Sequence, residues 1–151
     1  MHRLTASLVF FLLFAVPVAA DPQFGTREEA VAMVKRVQEM FEKEGPSATF
    51  AAVSDKSVQK FHDRDLYPFI YDLNGVNVAH GARAVLVGKN LSSLKDQNGK
   101  YLIQEMIAVA TEKGGGWVDY KWPHPITNKI EDKTSYIERL GDYFVGVGVR
   151  P

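Results

Sequence analysis

Residues 116–123, Gly-Trp-Val-Asp-Tyr-Lys-Trp-Pro, constrain this chain more than any other stretch. They hold both tryptophans of the protein, with a tyrosine and a lysine between them, and Pro123 closes the run. Read as a strand, the run alternates between two faces. Val118, Tyr120 and Trp122 share one face, and Trp117, Asp119 and Lys121 share the other. That much aromatic surface beside a cation builds core, a pocket, or both.

The preceding sequence supplies helices and a hairpin. Thr26 and Glu29 have the spacing of a capping box. Behind them Ala30, Val31, Val34, Val37, Met40 and Phe41 recur at helical spacing, and Gly45-Pro46 is a stop signal. A shorter helix is expected over 47–53. Residues 66–73 read as a strand, Asn74-Gly75 as a hairpin turn, and 76–80 as the returning strand. Pro68 lacks a ladder donor, which places it near the strand start or on an edge. Residues 81–94 read as irregular, with one helical turn. Residues 100–113 read as a helix ending at Gly114-Gly115-Gly116. Strands follow over about 117–122, 134–140 and 143–149. The two Asp-x-Asn-Gly segments, 72–75 and 96–99, are two turns, not a repeat. The order predicts an α+β domain with helices beside one antiparallel sheet.

Composition narrows the function classes. Eighteen basic and eighteen acidic residues balance to a formal charge of zero, which argues against nucleic acid or anionic lipid as the main partner. There is no cysteine, hence no disulfide, thiolate metal site or cysteine nucleophile. His2 and Arg3, an apolar run over 8–18 and the small residues Val18-Ala19-Ala20 have the pattern of a secretory signal peptide over 1–20, expected to be cleaved. One domain over 21–151 is then expected, of about 130 residues. A cysteine-free exported chain fits the periplasm.

The usual routes to catalysis are missing from the pattern. The four histidines, His2, His62, His80 and His124, form no metal-binding spacing. Arg64 interrupts His62-Asp63-Arg64-Asp65, which reads as a solvated loop. Asp72-Leu73-Asn74-Gly75 is not a calcium loop, because its glycine comes too early. Residues 114–116 lead into a strand, not into the helix a phosphate loop requires. No Gly-x-Ser-x-Gly elbow occurs. No catalytic residue, metal or cofactor is assigned, and binding is the starting hypothesis.

Six segments, three in each half of the domain, carry a family resemblance. Leu66-Tyr67-Pro68-Phe69-Ile70-Tyr71-Asp72-Leu73-Asn74-Gly75, Ala79-His80 and Val87-Gly88-Lys89-Asn90-Leu91 resemble the first half of a bacterial Cache sensor domain. The 116–123 run, Lys133-Thr134-Ser135-Tyr136 and Val145-Gly146-Val147-Gly148-Val149 resemble the second half. The single-Cache type 2 group is the nearest likeness. It implies a PAS-like fold, with a long N-terminal helix packed on a five-stranded antiparallel sheet. The ligand is implied on the other face, under the small helices and loops. Many type 2 members bind acetate, propionate, pyruvate or lactate, and they usually belong to chemoreceptors or sensor histidine kinases. With the sequence ending at Pro151, a free-standing periplasmic protein is expected that passes its state to such a membrane partner.

The resemblance selects the Tyr120–Trp122 face for the pocket and leaves Trp117 to pack against the long helix or the domain end. A short carboxylate needs charged or strong donors at one end and an apolar wall at the other. Lys133 and Lys121 compete as its cation. Lys133 is preferred, because it matches the family's Lys-x-Ser-Tyr run and Lys121 alternates to the other face. Tyr136 is assigned to the wall, the alternative being a half-buried sheet tyrosine. His80 is assigned an imidazole donor, strengthened by protonation toward acid pH, the alternative being a satisfied structural histidine. Tyr71 and Phe69 share a face of the first strand and serve as wall or as core. Met106 caps the ligand or fills a core gap. The expected function is non-enzymatic binding of a small carboxylate. The main alternative is a ligand-free interaction module docking on a membrane sensor. A distant one is an exported enzyme using His80 with Asp72 or Tyr120.

Overall fold

The structure, a computed structural model, describes residues 23–125 and 127–151. The expected signal peptide lies outside the described residues. The Glu29 amide donates to the Thr26 hydroxyl at 3.2 Å, and the Thr26 amide donates to the Glu29 carboxylate at 2.8 Å. This is the predicted capping box, and it opens α1, Arg27–Ser54. The guanidinium of Arg64 also reaches Glu29, at 2.7 Å, tying the helix start to the loop before the sheet.

The predicted stop at Gly45-Pro46 is a kink inside α1. Gly45 has φ 83° and ψ 174°, a conformation that strains any residue carrying a Cβ. Pro46 then starts the second segment, where its missing amide costs nothing. Thr49 donates its hydroxyl back to the Gly45 carbonyl at 2.8 Å. Phe41 before the kink and Phe50 after it both pack on Tyr143, at ring separations of 6.0 and 5.0 Å. Both segments therefore stay on one face of the sheet.

The hairpin is β1, Pro68–Asp72, and β2, Asn77–His80. Pro68 is the first residue of β1, where the ladder needs least from it. One turn of 3-10 helix covers Ala84–Leu86. Helix α2, Leu102–Lys113, ends on Gly114 in the left-handed region. Three strands follow: β3, Gly115–Pro123; β4, Ile130–Leu140; and β5, Tyr143–Val149. All pairings are antiparallel, and the order is β2-β1-β5-β4-β3.

The two Asp-x-Asn-Gly turns have one geometry and two uses. Asp72 accepts the amides of Asn74 and Val76, and Asp96 accepts those of Asn98 and Lys100. The first turn closes the hairpin. The second clasps edge strand β3: Asp96 accepts the Lys121 amide at 3.1 Å, and Lys100 donates to the Asp119 carbonyl. An exposed edge is thereby covered.

The sheet has a layer on each face. On one, Ala30, Met33, Val34 and Val37 of α1 meet Val145, Val147 and Val149 of β5. On the other, Leu102, Ile103, Met106 and Ala110 of α2 meet an aromatic surface that includes Phe69, Tyr71, Tyr120 and Phe144. No helix of the described residues is long and apolar enough to cross a membrane.

Candidate ligand-binding site

Strand β5 explains where space arises. Its Val-Gly-Val-Gly-Val run sends the valines to α1 and leaves Gly146 and Gly148 on the α2 face. A Cβ at Gly146 would overlap the Phe69 ring and sit 2.7 Å from Ile137. A Cβ at Gly148 would overlap the stem of Lys133 and sit 2.6 Å from the Ser135 hydroxyl. The glycines thus let large side chains lie flat on the sheet.

Above this floor a cavity forms between sheet and α2. The hairpin contributes Phe69, Tyr71 and His80; β3 contributes Tyr120 and Trp122; α2 contributes Met106. These six of the eight residues assigned from the sequence converge on one space. Tyr67, Leu102 and Ile103 complete the lining. The volume open to the centre of a water molecule is about 10 Å³, room for roughly one water.

His80 is 2% exposed. Its Nδ1 accepts the amides of Ala82 at 3.2 Å and Arg83 at 3.0 Å. An accepting Nδ1 fixes the ring proton on Nε2. Burial, aided by the charges of Lys133 and Arg83, pushes the imidazole pKa down to about 3. The expected gain from protonation is therefore corrected: the ring stays neutral at ordinary pH, and its donor is the Nε2–H of the neutral imidazole. The ring packs on Tyr67 at 5.4 Å and on Phe69 at 6.1 Å.

Lys133 is buried, at 9% exposure, directly across the ladder from Tyr120. It stands beside the cavity rather than in its lining. Its ammonium donates to the Tyr67 hydroxyl at 2.9 Å and lies 4.3 Å from the centre of that ring. No carboxylate of the described residues pairs with it. Lys121, the competing cation, pairs with Asp132 at the surface.

Tyr136 is placed elsewhere. It sits across the ladder from Trp117, ring centres 5.4 Å apart, and both pack against the α1 layer. Lys133 and Tyr136 differ by an odd number of positions, so alternation puts them on opposite faces. Its assignment to the pocket wall is corrected on that ground. Ser135 takes the place on the α2 face, its hydroxyl 2.7 Å from that of Tyr120. Burial raises the pKa of the Tyr71 and Tyr120 phenols well above the usual range, so both stay protonated. Trp117 meets the start of α1, with the Arg27 guanidinium 4.4 Å from its ring.

Tyr67 and Ser135 were missed by sequence reasoning, and the signal for both was parity. Tyr67 continues the Phe69–Tyr71 alternation by one step, and Ser135 continues that of Lys133. The assembled site is a small aromatic space with a neutral imidazole donor, phenol hydroxyls and an adjoining buried ammonium. Such a set suits an anion of few atoms. Among the described residues, no group of three or more histidines and carboxylates is placed to hold a metal ion.

Comparison with known proteins gives the lineage. Over 90 residues, 58% of its length, the chain is 39% identical to the sensor histidine kinase MctS of Rhizobium johnstonii. The aligned part spans 19% of that kinase. The periplasmic sensor domain of a chemotaxis protein superposes with a TM-score of 0.66 at 27% identity, covering 82% of this chain and 88% of that one. A Cache chemosensory domain, described for its carboxylic acid recognition, superposes with a TM-score of 0.63 at 27% identity, covering 82% and 86%. Residues 26–150 match the Cache domain model, and the chain belongs to that family.

Proposed function

We propose, from its place in the Cache family, that this chain is a periplasmic ligand-binding domain for a small carboxylate of the size of acetate, propionate, pyruvate or lactate. The bound state passes to a membrane chemoreceptor or sensor kinase. Residues 1–20 direct export and are removed, and 21–151 form the binding domain.

One observation carries the reading: the buried ammonium of Lys133 has no carboxylate partner among the described residues. A buried charge without a counter-charge is unfavourable, and an anionic ligand supplies one. Tyr67 and the Nε2–H of His80 add donors beside it. Phe69, Met106 and Trp122 form the apolar wall.

Calorimetry with the four acids, set against amino acids, is the test. Saturable heat with at least one acid is expected, and no heat or thermal shift with any acid removes the reading. The small cavity supports a second reading, a ligand-free module that docks on a membrane sensor with its interior filled by its own side chains. That module gives no shift with any acid and still binds the sensor.

A further inference from the structure

Trp122 occupies an unusual position among the spaces of this domain. It lines the small cavity, a second small recess that Lys133 also lines, and a larger groove. Leu102 is shared by the cavity and the groove. These two side chains are the wall between them. The groove is mainly apolar: Leu86, Leu91, Leu94 and Ile130 line it, and Ile130 is 43% exposed. Its volume open to a water's centre is about 320 Å³, against about 10 Å³ inside. Arg83, Lys95, Asp96 and Lys121 also line it, and Lys121 is paired with Asp132.

A space for one water does not hold a carboxylic acid, so binding moves part of the wall. Helix α2 and the central strands are held by continuous hydrogen bonding. Trp122 is half-buried, lies on edge strand β3 next to its last residue, and packs edge-on against Tyr120 at 6.2 Å. Leu102, the other wall residue, is 2% exposed, so Trp122 is the more exposed of the two.

We propose that Trp122 sets the chain-length limit of the ligand. In place, its indole closes the cavity at the end of a two- or three-carbon acid. Removed, it joins cavity and groove, and an aliphatic tail runs out along Leu91, Leu94 and Ile130 while the carboxylate stays by Lys133. This rests on the carboxylate reading above.

Two measurements on the full chain test it. The first is calorimetry of the parent and of Trp122→Ala with straight-chain acids from acetate to hexanoate. The parent is expected to lose at least about tenfold in affinity from propionate to hexanoate, and the variant less than about threefold. Equal profiles in the two proteins overturn the proposal. The second needs no acid: hexan-1-ol is titrated while the methyl signals of Met106 and Ile130 are followed by NMR. In the parent the alcohol shifts Ile130 alone, and in Trp122→Ala it shifts both. A Met106 response in the parent, or none in the variant, overturns the partition. If no acid binds either protein while the alcohol behaves as expected, the carboxylate reading falls and the partition stands. Leu102→Ala opens the same wall from the helix side. It is expected to give the same Met106 response should the tryptophan variant not fold.

Discussion

On β5 the valines turn toward α1 and the glycines toward α2, and the two layers that result differ in kind. The α1 layer is mostly aliphatic and closed: Met33, Val34, Val37, Val145 and Val147 are fully buried. The α2 layer is aromatic and polar. It buries a lysine, a histidine, a serine and three tyrosines, and it keeps a cavity. A sheet one residue thick thus carries a packing problem on one side and a recognition problem on the other. Alternation is what lets one strand serve both.

That contrast is open to attack from either side. The largest effect belongs to the α1 layer. Met33→Ala is expected to lower stability by about 2–5 kcal/mol in urea unfolding, while leaving carboxylate affinity within about twofold. A tenfold loss of affinity would show that the layers are not separate. Next is Lys133→Met, which keeps the stem over Gly148 and removes the charge. Affinity is expected to fall at least about 30-fold by calorimetry. The ligand-free melting temperature is expected to hold or rise, since an uncompensated buried charge is gone. A lowered melting temperature with unchanged affinity would make the lysine a structural residue.

The third test uses pH. His80 takes up its proton near 6.5 when unfolded and near 3 when folded. Between those values the unfolded state holds the extra proton, so stability rises with pH and is fully present above about 6.5. Relative to His80→Gln, the parent is expected to lose about 1.4 kcal/mol per unit as pH drops below 6.5. Urea curves at pH 7, 6 and 5 measure the difference. A parallel pair of profiles would mean that the ring is not held neutral. The smallest effect is Tyr120→Phe, which strips the hydroxyl partner from Ser135 and is expected to cost about 1 kcal/mol. Thermal unfolding reads it, and no change would mean that water replaces the phenol.

What the sequence disclosed was local. The capping box at Thr26, the hairpin at Asn74-Gly75 and the two faces of 116–123 depend on neighbours a few positions apart, and all three stand as read. Parity also brings Phe69, Tyr71, Tyr120 and Trp122 to one side. The misplaced residue, Tyr136, came from treating Lys-Thr-Ser-Tyr as a unit when adjacent strand positions point apart. Other features were not legible because the contacts are remote. Lys133 meets Tyr67 across 66 positions. The turn at Asp96 clasps Lys121 across 25. The role of Gly148 appears only once the β4–β5 register places it beside Ser135. The neutral state of His80 follows from burial and the charges of Lys133 and Arg83, none of which its strand sequence announces.

His80 is fastened twice. Its backbone amide donates to the Ser54 hydroxyl at 3.3 Å, at the last residue of α1. Its ring holds the amides of Ala82 and Arg83, which begin the loop on the cavity side. The residue acts as a rivet driven through the sheet, with one head in each layer. The cavity and the end of α1 are thus separated by a single residue of β2.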